Sequence, residues 1–167
     1  IHCWGVDDVG QLGNSAPLTD KSDASTFILP WSDLGAVTVG NSKHPKSLAA
    51  GDEHTCALFA DGRVYCWGLG TSGQLGQNSM ASASAPVAVD VSGITDFEGF
   101  KQISAGGDTT CALYVNGSAY CWGAGSKGQL GQGSAANSSV PVLVDTSGVS
   151  GFKGFASLSV GKTHTCG

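Results

Sequence analysis

The sequence predicts an all-β chain made of propeller blades, and two observations carry that expectation. The block His54-Thr55-Cys56-Ala57-Leu58 through Tyr65-Cys66-Trp67-Gly68, continued by Gly73-Gln74-Leu75-Gly76, returns as Thr109-Thr110-Cys111-Ala112-Leu113 through Tyr120-Cys121-Trp122-Gly123 and Gly128-Gln129-Leu130-Gly131. Its interval is constant, because Cys56 to Cys111, Cys111 to Cys166 and Cys66 to Cys121 each span 55 positions. A period that long, carrying strand-like runs and no helix signal, points to blades.

Both ends are pieces of the same unit. Ile1-His2-Cys3-Trp4-Gly5 with Gly10-Gln11-Leu12-Gly13 is the second half of a motif, residues 1–13, and residues 161–167, through Thr165-Cys166-Gly167, are the first half of another. Residues 1–167 therefore read as one repeat domain holding two full motifs, 51–76 and 106–131, and two complementary halves. The ends are expected to be unfinished strand edges that further repeats of the same or a neighbouring chain cover. In head-to-tail joining only Gly167, Ile1 and His2 lie between Cys166 and Cys3, against nine residues between Cys56 and Cys66. A broken hairpin tip within a longer protein leaves that pattern, and so do separate chains that pair along the strand and lock through Cys166 and Cys3. Joining that does not close gives an open filament.

The linker over residues 14–47 departs from the others. Cys3 to Cys66 spans 63 positions where the other units span 55. The extra length contains Phe27-Ile28-Leu29-Pro30-Trp31, an apolar run outside the repeat pattern. Phe27, Ile28, Leu29 and Trp31 are either a longer loop packing on its own blade or a contact patch, since insertions in repeat proteins map to loops on one face. The later linkers share Pro-Val-x-Val-Asp, with Phe97, Phe100, Phe152 and Phe155 at matching offsets that suggest core positions. Their Ser- and Ala-rich openings, 77–85 and 132–139, suggest exposed loops.

Within the first full motif, Ala57-Leu58-Phe59 and Arg63-Val64-Tyr65 flank Ala60-Asp61-Gly62. A three-residue hairpin loop ending in Gly is a type I turn with a bulge, and Gly62 supplies the left-handed residue. That loop sets Phe59 opposite Arg63, Leu58 opposite Val64, Ala57 opposite Tyr65 and Cys56 opposite Cys66. Val115-Asn116-Gly117 repeats the loop and aligns Cys111 with Cys121; a two-residue Asn116-Gly117 turn would misalign them. Directly opposed cysteines on antiparallel strands lie within disulfide range.

Six cysteines in three equivalent pairs read as a disulfide framework, with Cys56–Cys66 and Cys111–Cys121 as staples and Cys3 and Cys166 as a split third pair. The partners of Cys3 and Cys166 stay open: each other in one chain, between chains, or residues beyond the sequence. A spacing of ten along a hairpin matches no zinc pattern, and the histidines do not cluster with the cysteines. Staples of this kind persist in oxidising compartments, so an extracellular or cell-surface location is expected. Each should add about 2 to 3 kcal/mol by the chain-entropy model.

Composition narrows the function classes. The chain has 26 Gly, 13% charged residues, a net charge of -5, a pI of about 5.1 and a mean hydropathy of +0.06. Such a chain suits tight turns between half-buried strands and not a disordered tail. It offers no basic surface for nucleic acid or anionic lipid, and no run approaches the roughly 20 apolar residues of a membrane span.

The string Gly-x-x-His-Thr-x-Ala-Leu-x-x-x-Gly-x-Val-Tyr-x-Trp-Gly, followed by Gly-Gln-Leu-Gly, resembles the repeat of the regulator of chromosome condensation family. It covers Gly51–Gly76 well, Gly106–Gly131 nearly as well, and both ends in part. The resemblance implies a seven-bladed β-propeller of four-stranded blades in which each sequence repeat straddles two blades. Nuclear members generally carry non-bonded residues at the two cysteine positions, so the matched pairs here weigh against a nuclear exchange-factor role. Thr109 stands where His54 and His164 stand, so the histidine is not an invariant ligand; His54 and His164 are expected to hydrogen-bond neighbouring backbone. Trp67, Trp122 and Trp4 are expected in the blade core rather than as sugar platforms. Gly-Gln-Leu-Gly should make a tight turn with Leu buried and the Gln amide on backbone; it lacks the Lys and hydroxyl of a phosphate loop.

Two sequons, Asn116-Gly117-Ser118 and Asn137-Ser138-Ser139, mark Asn116 and Asn137 as candidate glycosylation sites. The acidic residues are scattered in turns and no Ser, His and Asp set shows triad logic. Asp7-Asp8 without a full ligand loop is weak support for calcium. The expectation is a non-enzymatic extracellular structural or interaction module without a cofactor or metal, forming part of a surface filament or of a longer surface protein. The alternative is a secreted propeller recognising a protein or glycan through one face. A more distant reading is a small-GTPase exchange factor or chromatin-associated protein.

Overall fold

The fold is set by two hairpins whose register follows from their loops. A computed structural model describes residues 2–3, 5–13, 27–28 and 45–167, with the backbone alone described for residues 2, 27 and 28. In chain order the strands are β1 (His2–Cys3), β2 (Phe27–Ile28), β3 (Pro45–Ala50), β4 (His54–Phe59), β5 (Val64–Gly68), β6 (Ala83–Ala88), β7 (Phe100–Gly106), β8 (Thr109–Tyr114), β9 (Ala119–Gly123), β10 (Ser138–Leu143), β11 (Ser159–Val160) and β12 (Thr165–Cys166). They form two four-stranded antiparallel meanders, β3-β4-β5-β6 and β7-β8-β9-β10, and two two-stranded pieces, β1-β2 and β11-β12.

At the β4–β5 turn the Gly62 N–H donates to the Phe59 carbonyl at 3.0 Å, and the Phe59 N–H donates to the Arg63 carbonyl at 2.9 Å. Gly62 has φ +79° and its counterpart Gly117 has φ +93°, as the three-residue loop requires. Leu58 pairs with Val64, Ala57 with Tyr65 and Cys56 with Cys66, the register the loop predicts. Hydrogen-bonded and non-hydrogen-bonded pairs alternate along an antiparallel ladder. Counting from Phe59 and Arg63, the cysteines fall on a non-hydrogen-bonded pair, where strands come closest. The two disulfides accordingly have Cα–Cα distances of 4.1 Å.

Burial follows position in the blade. The middle strands β4, β5, β8 and β9 are buried on almost every residue because a neighbouring blade covers each face, which is why they read as continuous apolar runs rather than alternating ones. β3 alternates half-buried and exposed residues, and β6 and β10 stay half-buried at the rim. The main core lies between the two complete blades, where Val64, Leu75, Val89, Ile94, Phe100, Ile103 and Trp122 pack together. Phe100 anchors it, with ring centroids 6.0 Å from Tyr114 and 6.2 Å from Trp122.

Phe97, Phe100 and Phe155 pack as their offsets suggest. Phe152 departs from them: it is 37% exposed and touches Phe155 edge-on at 4.8 Å. It keeps the edge-on contact that Phe97 makes with Phe100, at 4.8 Å against 5.1 Å. Among the described residues no helix is long and apolar enough to cross a membrane.

Gly62 is held twice, by its positive φ and by the close approach of Gly99 and Phe100 backbone to where a Cβ would stand. We expect Gly62→Ala to lower unfolding free energy by about 2 to 4 kcal/mol, from the strain of a non-Gly residue at positive φ plus overpacking. Gly148→Ala, in open space at ordinary φ, should stay within about 0.5 kcal/mol of the parent in the same denaturant titration.

Candidate functional site

Among the described residues, a regular polar construction recurs between blades. In each unit the Gln of Gly-Gln-Leu-Gly turns its main-chain carbonyl toward the next blade. The Gln11 carbonyl accepts the Thr55 hydroxyl at 3.0 Å and the Trp67 indole N–H at 2.9 Å. The Gln74 carbonyl accepts the Thr110 hydroxyl at 3.0 Å and the Trp122 indole N–H at 3.0 Å. The Gln129 carbonyl accepts the Thr165 hydroxyl at 2.9 Å. Each Gln side chain braces its own turn, since Gln11, Gln74 and Gln129 accept the N–H of Val9, Ser72 and Lys127 through Oε1. Leu12, Leu75 and Leu130 of the same turns are buried. Gln74 also reaches the next unit by donating from Nε2 to Asp108 at 3.3 Å.

His54 joins this clasp from within the blade. Its Nε2 lies 2.8 Å from the Thr110 Oγ1, whose own proton is committed to the Gln74 carbonyl. Nε2 must therefore carry the proton and donate, leaving a lone pair on Nδ1. Nδ1 is buried without a hydrogen-bond partner, and burial pushes the imidazole pKa down to about 4 against a smaller opposing pull from Asp52. The expected backbone partner for His54 is thus replaced by a side chain of the next repeat, because its ring points across the interface. His164 is exposed. Thr109, in the His54 position of the second blade, donates to the Ala124 carbonyl at 3.1 Å.

The remaining candidates separate cleanly. Cys56–Cys66 and Cys111–Cys121 are disulfides whose sulfur atoms are fully buried with their residues, each with a Thr hydroxyl of the following unit 3.9 Å away. Cys3 is half-buried and Cys166 exposed, both as free thiols, and burial pushes the Cys3 thiol up. Asn116 is exposed at its hairpin tip, with Oδ1 accepting the Ser118 N–H at 2.8 Å. Asn137 is exposed, but its Oδ1 holds the Gly125 N–H at 3.0 Å. Phe27 and Ile28 pair their backbones with Cys3 and His2; Leu29 and Trp31 lie outside the described residues, as does Trp4. Trp67 and Trp122 are fully buried, so neither is a sugar platform. Asp7 accepts the Leu12 N–H and Asp8 the Gln11 amide, tying both carboxylates into their turn. Among the described residues no group of three or more His, Cys, Asp or Glu is arranged to hold a metal ion.

Sequence reasoning missed the threonines. Their signal was present, since Thr55, Thr110 and Thr165 each precede the first cysteine of a unit. What the string does not carry is their partner in the preceding unit.

Two outcomes test the clasp. Thr110→Val keeps shape but strands the His54 N–H, so we expect a loss of about 1 to 3 kcal/mol in denaturant unfolding. For His54 the folded state binds fewer protons than the unfolded chain, whose imidazole titrates near 6.5. Stability from this residue is therefore complete above about pH 6.5 and is lost as pH falls toward 4, by about 3 kcal/mol. His54→Thr, which copies Thr109, should flatten the dependence of the unfolding midpoint over that range.

Comparison with known proteins agrees with this architecture. Two models of the regulator of chromosome condensation (RCC1) repeat match, one over residues 46–74 and 100–129, the other over 61–113 and 116–167. The chain is 32% identical over 150 residues to the ultraviolet-B receptor UVR8 of Arabidopsis thaliana, covering 89% of this chain and 30% of the receptor. It is 30% identical over 148 residues to the E3 ubiquitin-protein ligase HERC2 of Homo sapiens, covering 87% of this chain and 3% of the ligase. Yeast RCC1 (Prp20) bound to Kap60 superposes with a TM-score of 0.74 at 21% identity over 97% of this chain and 36% of that one. Human WBSCR16 gives 0.75 at 22% identity over 93% of this chain and 36% of that one. The chain thus spans about a third or less of the length of these proteins, and its blades are those of an RCC1-type β-propeller. Motif, blade and matched residues together place this chain in the regulator of chromosome condensation (RCC1) repeat family.

Proposed function

We propose that this chain is a non-enzymatic extracellular interaction module, a run of RCC1-type blades that presents a rigid propeller surface to a protein partner. The observation that carries this reading is the disulfide at the same register position in both complete blades. A reducing cytosol or nucleus keeps such thiols reduced, so paired and buried cysteines belong to secreted or surface-displayed proteins. That weighs against a nuclear exchange factor. The polar side chains that a catalytic centre would draw on are already engaged: His54, Thr110 and Gln74 close the blade interface, and Asp7 and Asp8 brace a turn.

A protein partner is favoured by the kind of surface blades offer and by what similar structures are described with. Yeast RCC1 is seen bound to Kap60, and Prp20p is described with binding properties toward Gsp1p and histones. Those partners belong to those proteins; the acidic net charge of -5 here disfavours nucleic acid as a ligand.

The test is a two-reagent thiol count on protein taken from its own source. Free thiols are blocked in denaturant first, and those released by reductant are tagged second. Cys56, Cys66, Cys111 and Cys121 should carry only the second tag. Finding the first tag on these four would remove the extracellular reading.

A further inference from the structure

The β4–β5 and β8–β9 hairpin tips are built alike and differ in what they show to solvent. In both, a Gly N–H donates to the carbonyl three residues back, from Gly62 to Phe59 and from Gly117 to Tyr114, each at 3.0 Å. The following linker closes on both, with the Phe100 N–H donating to the Gly62 carbonyl at 2.9 Å and the Phe155 N–H to the Gly117 carbonyl at 2.8 Å. Inside each turn a side-chain oxygen accepts the N–H two residues on, Asp61 Oδ1 from Arg63 at 3.0 Å and Asn116 Oδ1 from Ser118 at 2.8 Å. With the backbone held the same way, the difference between the tips is one of surface chemistry.

Three positions of the tip change together: Ala60 is replaced by Val115, Asp61 by Asn116 and Arg63 by Ser118. In the first tip the second carboxylate oxygen, Oδ2, lies 3.8 Å from the Arg63 Nε. With Oδ1 in the equivalent bond, the Asn116 Nδ2 takes the place of that Oδ2, on the side of the Ser118 side chain. An ion pair has thus been exchanged for an amide nitrogen beside a hydroxyl. Among the described residues neither the Asn116 Nδ2 nor the Ser118 Oγ has a hydrogen-bond partner. Asn116 is exposed, and Val115 next to it is a 41% exposed apolar side chain that the face of a sugar can cover. The second sequon is built differently. Its Asn137 Oδ1 accepts the N–H of Gly125, twelve positions away, in the role that the Ser82 Oγ plays for Gly70 one blade earlier. Asn137 is therefore a brace of the β9–β10 loop and waits on a distant strand, whereas the geometry at Asn116 forms within its own turn.

We propose that the β8–β9 tip is a modification site at which Asn116 carries an N-linked glycan, with Ser118 as the hydroxyl of its acceptor triplet. The site rests on the extracellular reading, because such glycans are added to chains on the secretory route. The donor is an oligosaccharide carried on a lipid diphosphate. A bond forms between the Asn116 Nδ2 and the anomeric carbon as the bond from that carbon to the diphosphate oxygen breaks. The diphosphate leaves with the bonding pair, and Nδ2 gives up one proton to a base of the transferring enzyme, so the product is a neutral amide. The reaction takes nothing from the turn, since Oδ1 keeps the Ser118 N–H and the register that sets Cys111 against Cys121 stays as it is.

One proteolytic peptide separates the failure of this site from the failure of the extracellular reading. Cleavage after Lys101 and Lys127 releases residues 102–127, which hold Asn116 and the Cys111–Cys121 pair but not Asn137. Protein from its own source has its free thiols blocked, is digested, and is treated with peptide-N-glycosidase in heavy-oxygen water, which leaves a labelled carboxyl wherever a glycan stood. The expected result is peptide 102–127 with its disulfide intact and label at Asn116 in most copies. A disulfide-bonded peptide without label overturns the glycan site and leaves the extracellular reading in place, even where residues 128–153 carry label at Asn137. Blocked thiols on Cys111 and Cys121 remove both. The chain secreted from a eukaryotic host should lose the Asn116 label with Ser118→Ala, which deletes a hydroxyl that has no partner, and should keep the Cys111–Cys121 disulfide. A label that survives Ser118→Ala overturns the acceptor triplet.

Discussion

The whole arrangement depends on one acceptor, the main-chain carbonyl of the Gln in Gly-Gln-Leu-Gly. A carbonyl has two lone pairs, and here both go to the next blade: one to a threonine hydroxyl on its second strand, one to an indole N–H on its third. Two donors on adjacent strands aimed at one atom fix where a blade stands and how it is turned. The apolar packing around Trp122 and Phe100 then supplies most of the favourable energy, being large in area but indifferent to direction. The division of labour is that burial holds blades together while the carbonyl decides their angle.

Much of this could be read from the string, and the parts that could not share a cause. The three-residue loop ending at Gly62 sets Cys56 against Cys66 by counting alone, because an antiparallel register has no freedom once its turn is known. The burial of Trp67, Trp122 and Leu75 also follows from their recurrence in equivalent places. His54 was harder. Its partner Thr110 lies 56 positions away in the following unit, and a repeat pattern reports what is alike between units, not what touches between them. Residues 14–26 and 29–44, with Leu29 and Trp31, lie outside the described residues.

The disulfides sit at an instructive depth. They do not tie blade to blade; each closes a hairpin whose strands are already paired, its cysteines ten positions apart. Their effect falls on the unfolded chain, which loses loop entropy one blade at a time. Each unit therefore carries its own reinforcement, and the number of units changes the total without changing the kind.

Along the rim, β6 and β10 each carry a proline, Pro86 and Pro141, and each breaks register against its neighbour. A proline offers no N–H and a bulge bends the ladder away, so the outer edge of every complete blade is a poor template for a stray strand. Among the described residues, the β6 and β10 edges of the two complete blades are thus blunt toward an added strand. A protein exposed to other chains at high concentration gains from that bluntness: sheets do not grow into aggregates from these edges.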